Sequence, residues 1–181
     1  MVELPSVPVV RASALRLRPL RMDDECAVYA AQHEMAADSF EFAFDLAEAT
    51  DWRSYAADHA RMQRGIDLPP DRLPATFLVA TIEDVIVGRT SIRHELNDWL
   101  LAFGGHIGYG VLPPFRRRGC ATEILRQSLI VARAFGVDRA LLTCDDDNVA
   151  SSTVIEQNGG VLDPDWPKTD GETAKRRYWI A

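Results

Sequence analysis

Residues 111–121 read Val-Leu-Pro-Pro-Phe-Arg-Arg-Arg-Gly-Cys-Ala, and they connect a predicted strand to a predicted helix. The strand spans Gly105 to Val111, and its glycines indicate a bulge or a close approach of another backbone. The helix spans Gly119 to Phe135, because apolar residues recur there at helical spacing before Gly136. A basic turn is therefore expected directly before a helix N-terminus.

This arrangement is typical of an anion-binding site. The first N–H groups of a helix have no intrahelical partner and carry partial positive charge, so they can bind a pyrophosphate. Gly119 lets a phosphate approach the backbone without meeting a Cβ atom. The alternative is a solvated arginine run at the start of a helix, but cations there oppose the helix dipole. A bound anion would offset that repulsion.

Two common phosphate-binding motifs do not fit this stretch. A P-loop needs a lysine after its second glycine, whereas Cys120 and Ala121 follow Gly119. The dinucleotide fingerprint needs a third glycine that opens a helix, and the residues after Gly108-x-Gly110 do not supply one. Nucleotide triphosphate hydrolysis and dinucleotide binding are therefore not expected.

The remaining pattern predicts one mixed α/β domain over residues 1–181. A strand, a helix and a strand in succession around α-helical residues 119–135 imply a crossover connection. Aspartates that can cap a helix N-terminus predict two helices in the N-terminal part of the chain. The first begins near Asp23, and the second runs from about Asp51 to Gly65. The other predicted elements are a strand at Leu15–Leu17, a hairpin of Thr76–Ile82 and Val85–Arg93, a strand at Ala140–Cys144, a helix from Asn148 to about Asn158, and a strand at Arg177–Ile180.

Composition limits the class of protein. A chain of 181 residues that is 47% hydrophobic can form one core. Its net charge of -7 argues against nucleic-acid binding as the main role. Met1–Val10 has no export leader, and no apolar stretch is long enough to span a bilayer, so we expect a cytoplasmic protein without a membrane partner. Cys26, Cys120 and Cys144 lack C-x-x-C spacing, and neither disulfides nor a metal site is expected.

The basic turn also resembles a family signature. Arg116-x-x-Gly119-x-Ala121 is similar to the Q/R-x-x-G-x-G/A motif of the GCN5-related N-acetyltransferase (GNAT) superfamily. Asn148-x-x-Ser151 and Glu156-Gln-Asn-Gly159 look like the next helix of that superfamily, and the resemblance covers roughly residues 76–162. Segments such as Arg93-His-Glu-Leu-Asn97 look like a bacterial group of predicted acetyltransferases. The resemblance implies one mixed, mostly antiparallel sheet, flanked by helices and splayed between its central strands.

The resemblance further implies acetyl-CoA as co-substrate and no metal. The backbone of Val111 would contact the pantetheine arm, and Asn148 and Ser151 would bind it from the next helix. An open strand edge supports this assignment physically, because it offers hydrogen-bonding groups to the amides of pantetheine. The pyrophosphate would bind to the basic turn and the first helical turn: Arg116, Arg117, Arg118, Gly119, Cys120, Ala121 and Thr122.

Direct acyl transfer needs a base for the amine and a donor for the oxyanion. The N–H of Val111 is the candidate donor, and His106, Glu95 and His94 are the candidate bases. Each of these polar side chains could instead be structural or solvated. Many family members place a proton-donating tyrosine where this chain has Ile155. Tyr109, Ser151 or Ser152 could replace it, or the thiolate could leave without a protein acid.

The sequence therefore predicts an N-acetyltransferase that acts on a primary amine of a small molecule or peptide. The alternative is a CoA-binding sensor or partner-binding module that has lost transfer chemistry. The acidic N-terminal half could form a lip that favours cationic amines, or its carboxylates could be solvated. Phe40, Phe42 and Phe44 could line that lip, belong to the core or pack between subunits, which leaves a homodimer open.

Overall fold

The computed structural model describes residues 12–70, 72–164 and 174–181. The segment Met1–Val10, on which the expectation about an export leader rests, lies outside these residues. Within them, antiparallel strand ladders are flanked by helices, which confirms the predicted mixed α/β fold. The strands are β1 (Arg16–Arg18), β2 (Ala75–Ile82), β3 (Val85–Arg93), β4 (Ile107–Val111), β5 (Ala140–Asp145), β6 (Val161–Leu162) and β7 (Lys175–Ile180), and the α-helices are α1 (Glu25–Ala36), α2 (Trp52–Arg64), α3 (Cys120–Ala134) and α4 (Val149–Gln157).

The N-terminal helices follow local signals. In α1, Val28, Ala31 and Met35 are buried on one face. Asp51 caps α2 by accepting a hydrogen bond from the Ser54 N–H at 2.8 Å. These helices pack against β2 in one cluster of the hydrophobic core.

The described strands form two sheets, and the first has the order β1-β2-β3-β4. The β2–β3 hairpin turns at Glu83 and Asp84 as predicted, both at positive φ. Its register shifts between Ala80 and Thr81, whereas β3 and β4 pair without a shift. The pairing of β4 with β3 therefore contains no bulge, and the irregularity lies in the β2–β3 pair.

The expected close approach at the β4 glycines is present. A Cβ atom on Gly110 would lie 2.5 Å from the Phe40 ring, and one on Gly105 would lie 2.5 Å from the Leu141 carbonyl oxygen. These glycines let the N-terminal segment and β5 contact the backbone on either side of β4.

The second sheet has three strands in the order β5-β7-β6. Helix α3 connects β4 to β5, and it packs with α4 against β5 and β7 around Leu125, Leu142 and Tyr178. No helix among residues 12–70, 72–164 and 174–181 is long and apolar enough to cross a membrane. A short β6 and a π-helical turn at Leu100–Gly104, which sequence patterns did not indicate, complete the fold.

Candidate functional site

Strand β4 has one paired edge and one open edge. On the paired edge, the Leu112 N–H bonds the Val87 carbonyl at 2.9 Å, and the Arg93 N–H bonds the His106 carbonyl at 2.8 Å. Because hydrogen-bonding direction alternates along an antiparallel strand, the N–H and C=O groups of Tyr109 and Val111 point away from β3. Among the described strands β4 forms a ladder only with β3, so these groups face the gap toward β5.

His106 closes one end of that gap. Its backbone N–H bonds the Leu141 carbonyl at 2.7 Å, and its Nδ1 accepts the Leu141 N–H at 2.9 Å. Burial and the charge of Arg93 lower the pKa of His106, so the ring is neutral near pH 7. Since Nδ1 accepts a hydrogen bond, the proton of the neutral ring is on Nε2. The two sheets are thus joined by the hydrogen bonds between His106 and Leu141, and the described parts of β4 and β5 form no ladder beyond them.

The N-terminus of α3 lies beyond the other end of β4. Gly119 adopts a left-handed conformation with φ 78°, and no side chain caps the helix there. The Glu123 N–H bonds the Gly119 carbonyl at 3.1 Å, so the N–H groups of Cys120, Ala121 and Thr122 have no intrahelical partner. Free N–H groups beside a left-handed glycine fit a diphosphate group.

The three arginines of the turn have different positions. All three are exposed, but only Arg116 has a recorded side-chain partner among the described residues. Arg116 turns back toward β4, where its Nε donates to the Val111 carbonyl at 3.0 Å and its Nη2 lies 2.5 Å from an Asp38 carboxylate oxygen. The Arg116 side chain therefore holds the end of β4 against the segment after α1.

Helix α4 and the residue before it carry the other predicted site residues, Asn148 and Ser151. The Oδ1 of Asn148 caps this helix by accepting the Ser151 N–H at 3.0 Å. The Tyr109 hydroxyl lies 3.1 Å from the Ser151 Oγ, which links β4 to the start of α4 across the gap. Near the C-terminus of α4, Gln157 accepts a hydrogen bond from the Thr122 hydroxyl at 3.1 Å.

Burial raises the pKa of Tyr109 to about 12, so its hydroxyl keeps its proton at neutral pH. Ile155, at the position of the family's proton-donating tyrosine, is fully buried in the core. Tyr109 is thus the tyrosine that the structure brings into the gap.

The other candidate bases lie elsewhere. The Nε2 of His94 is 2.8 Å from the Thr76 hydroxyl, and its ring stacks on Phe135 with centroids 4.0 Å apart. Glu95 is exposed, and in the described part of the chain it makes no hydrogen bond or ion pair with the other predicted site residues. The structure thus brings together Val111, the α3 N-terminus and the start of α4, but does not bring Glu95 to them.

Sequence patterns did not identify two arginines of β3 as candidate functional residues. Arg89 is 3% exposed, and its guanidinium lies between the rings of Phe40 and Phe44, at 4.4 and 4.5 Å from their centroids. Arg93, four residues further along β3, is half-buried. The signal was the alternation of β3, which places both arginines on one face.

Comparisons with known proteins agree with this geometry. Residues 14–161 match the family described as Acetyltransferase (GNAT) domain. A comparison with curated proteins finds no match. The family match, over most of the chain, defines an acyl-CoA-dependent N-acetyltransferase. The chain belongs to the GNAT acetyltransferase family.

Solved structures with a similar fold share little sequence identity with this chain. RimJ of Mycobacterium smegmatis, in complex with CoA-disulfide, has a TM-score of 0.62 and 20% identity, covering 92% of this chain and 81% of that chain. RimL, a ribosomal L7/L12 alpha-N-protein acetyltransferase in complex with coenzyme A, has a TM-score of 0.61 and 18% identity, covering 93% and 94%. MccE, a microcin C7 self-immunity acetyltransferase in complex with acetyl-CoA and AMP, has a TM-score of 0.63 and 16% identity, covering 92% of each chain.

Proposed function

We propose that this protein transfers the acetyl group of acetyl-CoA to a primary amine of a small molecule or peptide by direct attack. The observation that carries the proposal is the open edge of β4, which ends near an uncapped α3 N-terminus. The two features match the two polar parts of CoA, its amide-containing arm and its pyrophosphate. We also propose that residues 1–181 form one domain with this single activity.

The proposed co-substrate site uses backbone more than side chains. The pantetheine arm pairs with the outward N–H and C=O groups of Tyr109 and with the Val111 carbonyl, beside Asn148 and Ser151, which leaves the Val111 N–H for the thioester oxygen. The pyrophosphate accepts hydrogen bonds from residues 119–122, and Arg117 and Arg118 add positive charge. Arg116 contributes indirectly, because its bond to the Val111 carbonyl positions the end of β4.

In the transfer step, the neutral amine attacks the thioester carbonyl carbon and forms the C–N bond. The Val111 N–H donates to the oxyanion of the tetrahedral intermediate. The C–S bond then breaks, the thiolate takes a proton, and the new amide nitrogen loses one. We propose Tyr109 as the proton donor, since its hydroxyl is protonated at neutral pH and lies in the gap.

The base for the amine stays a prediction. His106 is nearest the closed end of the gap, but its Nδ1 lone pair already accepts the Leu141 N–H. Accepting the amine's proton there would require that bond to break. Glu95 is exposed and would act through water.

The acceptor also stays a proposal. RimL is described as a ribosomal L7/L12 alpha-N-protein acetyltransferase, and MccE as a microcin C7 self-immunity acetyltransferase. The fold alone therefore does not identify the acceptor. A cytoplasmic location, the absence of a nucleic-acid partner and a homodimer likewise stay predictions.

The test is acetyl-CoA turnover against an amine panel, with detection of the released CoA thiol. Tyr109→Phe should lower kcat at least about 10-fold and leave the Kd for acetyl-CoA unchanged. Tyr29→Phe is the matched control, because Tyr29 also donates one hydroxyl hydrogen bond, to the Ala47 carbonyl at 2.8 Å, but lies on α1. Tight acetyl-CoA binding without thiol release for any amine would instead support the sensor alternative.

A further inference from the structure

A large cavity lies on the face of the sheet that carries Arg89 and Arg93. Its volume is about 730 Å³, and its walls are α2, the loop after α2, the ends of β2 and β3, and residues 97–100. This volume falls within the range of about 300–1,000 Å³ that is usual for small-molecule sites. The cavity therefore has room for a whole small acceptor.

One wall of the cavity is aromatic and uncharged. The His59 ring packs edge-on against Tyr55, with centroids 4.6 Å apart, and stacks on Phe77 at 4.8 Å. Burial lowers the pKa of His59 to about 4, so the imidazole is neutral at pH 7. This wall can pack against the apolar part of a ligand but adds no charge.

The cavity's carboxylates are mostly committed to partners in the protein. Asp45 pairs with Arg72 at 2.5 Å, and Asp58 pairs with Arg61. Asp51 caps α2. Asp67, on the loop after α2, is exposed. The acidic residues around the cavity are thus balanced locally or solvated.

Arg93 has no such partner. Its side chain lines the cavity, is half-buried, and makes no hydrogen bond or ion pair with any residue in the described ranges. Burial lowers its pKa, and no carboxylate opposes that effect. A guanidinium that is largely removed from water without an anion is an unfavourable arrangement for the free protein.

Arg89 increases the local positive charge. Its Nη2 donates to the Glu41 carbonyl at 2.7 Å and its Nη1 to the Gly108 carbonyl at 3.2 Å, while its Nε is buried without a partner. A Cβ atom on Gly108 would lie 3.5 Å from Nη1 of Arg93 and 3.8 Å from Nη1 of Arg89. The two guanidinium groups therefore converge above a residue that has no side chain.

We propose that this cavity binds the acceptor through a carboxylate held by Arg93, so that the substrate is a small amine that also carries a carboxylate, such as an amino acid. The proposal rests on the proposed acetyltransferase function and names its substrate class. Gly108 lies on β4 three residues before Val111, so the cavity's cationic end adjoins the strand that binds the acetyl donor.

The available donors favour a carboxylate over a phosphate. The Arg89 guanidinium is covered by two phenyl rings and its Nη groups already donate to carbonyls, which leaves one free fork, that of Arg93. One planar fork matches the two oxygens of a carboxylate.

The test compares each amino acid with its carboxamide and with its decarboxylated amine as acetyl acceptors. The parent protein should acetylate the acids about 10- to 100-fold more efficiently in kcat/KM, the factor expected for one charge-assisted contact. Arg93→Gln should bring that ratio close to one by raising KM for the acids, with KM for acetyl-CoA unchanged. Arg93→Lys should restore part of the preference. Arg64→Gln is the control, because it removes the same charge from an exposed residue of α2 that does not line the cavity.

A second measurement separates this proposal from the proposed function. Calorimetric titration with acetyl-CoA tests the co-substrate site, and titration with N-acetylated amino acids and their amides tests the acceptor subsite without turnover. The acids should bind at least about 10-fold more tightly than the amides, and only Arg93→Gln should remove the difference. If acetyl-CoA binds but acids and amides are bound and acetylated equally, the carboxylate subsite is wrong. Acetylation confined to peptides would also overturn it.

Discussion

Gly119→Ala separates the folding role of this glycine from its role in binding CoA. Gly119 has φ 78°, and the nearest described atom to an added Cβ is the Ala12 Cβ at 3.4 Å, an ordinary contact. The folding cost is therefore the backbone cost of a left-handed alanine, about 1–2 kcal/mol. In a domain of this size each kcal/mol lowers Tm by about 2–4 °C. If a phosphate lies against this backbone, the variant also loses a charge-assisted contact, and Kd for CoA rises about 10- to 100-fold.

The matched control is Gly136→Ala, just beyond the other end of α3. Gly136 has φ 85°, and an added Cβ would meet nothing within 4 Å. Both variants should show a similar loss of Tm by scanning calorimetry, but only Gly119→Ala should bind CoA more weakly in isothermal titration. Equal, near-parental CoA affinity in both variants would show that the pyrophosphate does not approach Gly119.

Three further changes test the site and the fold. Arg118→Ala should weaken CoA about 10-fold but pantetheine little, with the difference shrinking as salt rises, as measured by titration calorimetry. If His106 accepts the amine's proton, kcat/KM falls at pH values below its pKa, which lies under 6.5, and His106→Gln abolishes that limb of the pH profile. If the His106→Gln variant keeps the acidic limb of the pH profile but has a lowered Tm, the role of His106 is to join β4 to β5. Asp24→Asn breaks a buried ion pair with Arg18 and should cost about 3 kcal/mol of unfolding free energy in urea at pH 7. Burial raises the pKa of Asp24, but hydrogen bonds from Arg18 and Arg21 outweigh it, so the pKa falls below 3.8. The ion pair therefore stabilises the fold fully above about pH 3.8, the ordinary pKa of an aspartate, and this stabilisation is lost as the pH falls through the lower folded pKa of Asp24. Equal stability of parent and variant at pH 7 would contradict this account.

The elements that sequence patterns predicted well are those with local causes. Helix α2 begins after its Asp51 cap and ends at Gly65, which has φ 66°. The predicted helix start after the basic turn also rests on neighbouring residues, and the structure shows an uncapped helix start there, whereas anion binding at residues 116–121 stays a prediction. Such signals are complete within one or two turns of chain.

The parts that sequence patterns missed depend on contacts between distant residues. Arg116 pairs with Asp38, 78 residues away, so no local motif could show that its side chain turns back toward β4. The aromatic cover of Arg89 comes from Phe40 and Phe44, nearly 50 residues earlier in the chain. That Arg93 carries an unpaired charge in the cavity can be recognised only when the partners of the neighbouring carboxylates are known.

The order β5-β7-β6 has a consequence for how the molecule assembles. Strands β1 to β4 pair in their order along the chain, so the half of the sheet that carries Val111 can form as each strand emerges. Strands β5 and β6 are not paired with each other, and each waits for β7, which is synthesised after both. Pairing β5 with β7 closes a loop of about 30 residues and therefore lags behind hairpin formation. Strand β5, across the gap from β4, thus acquires its ladder last, and the proposed acetyl-transfer site between them is complete only after that pairing.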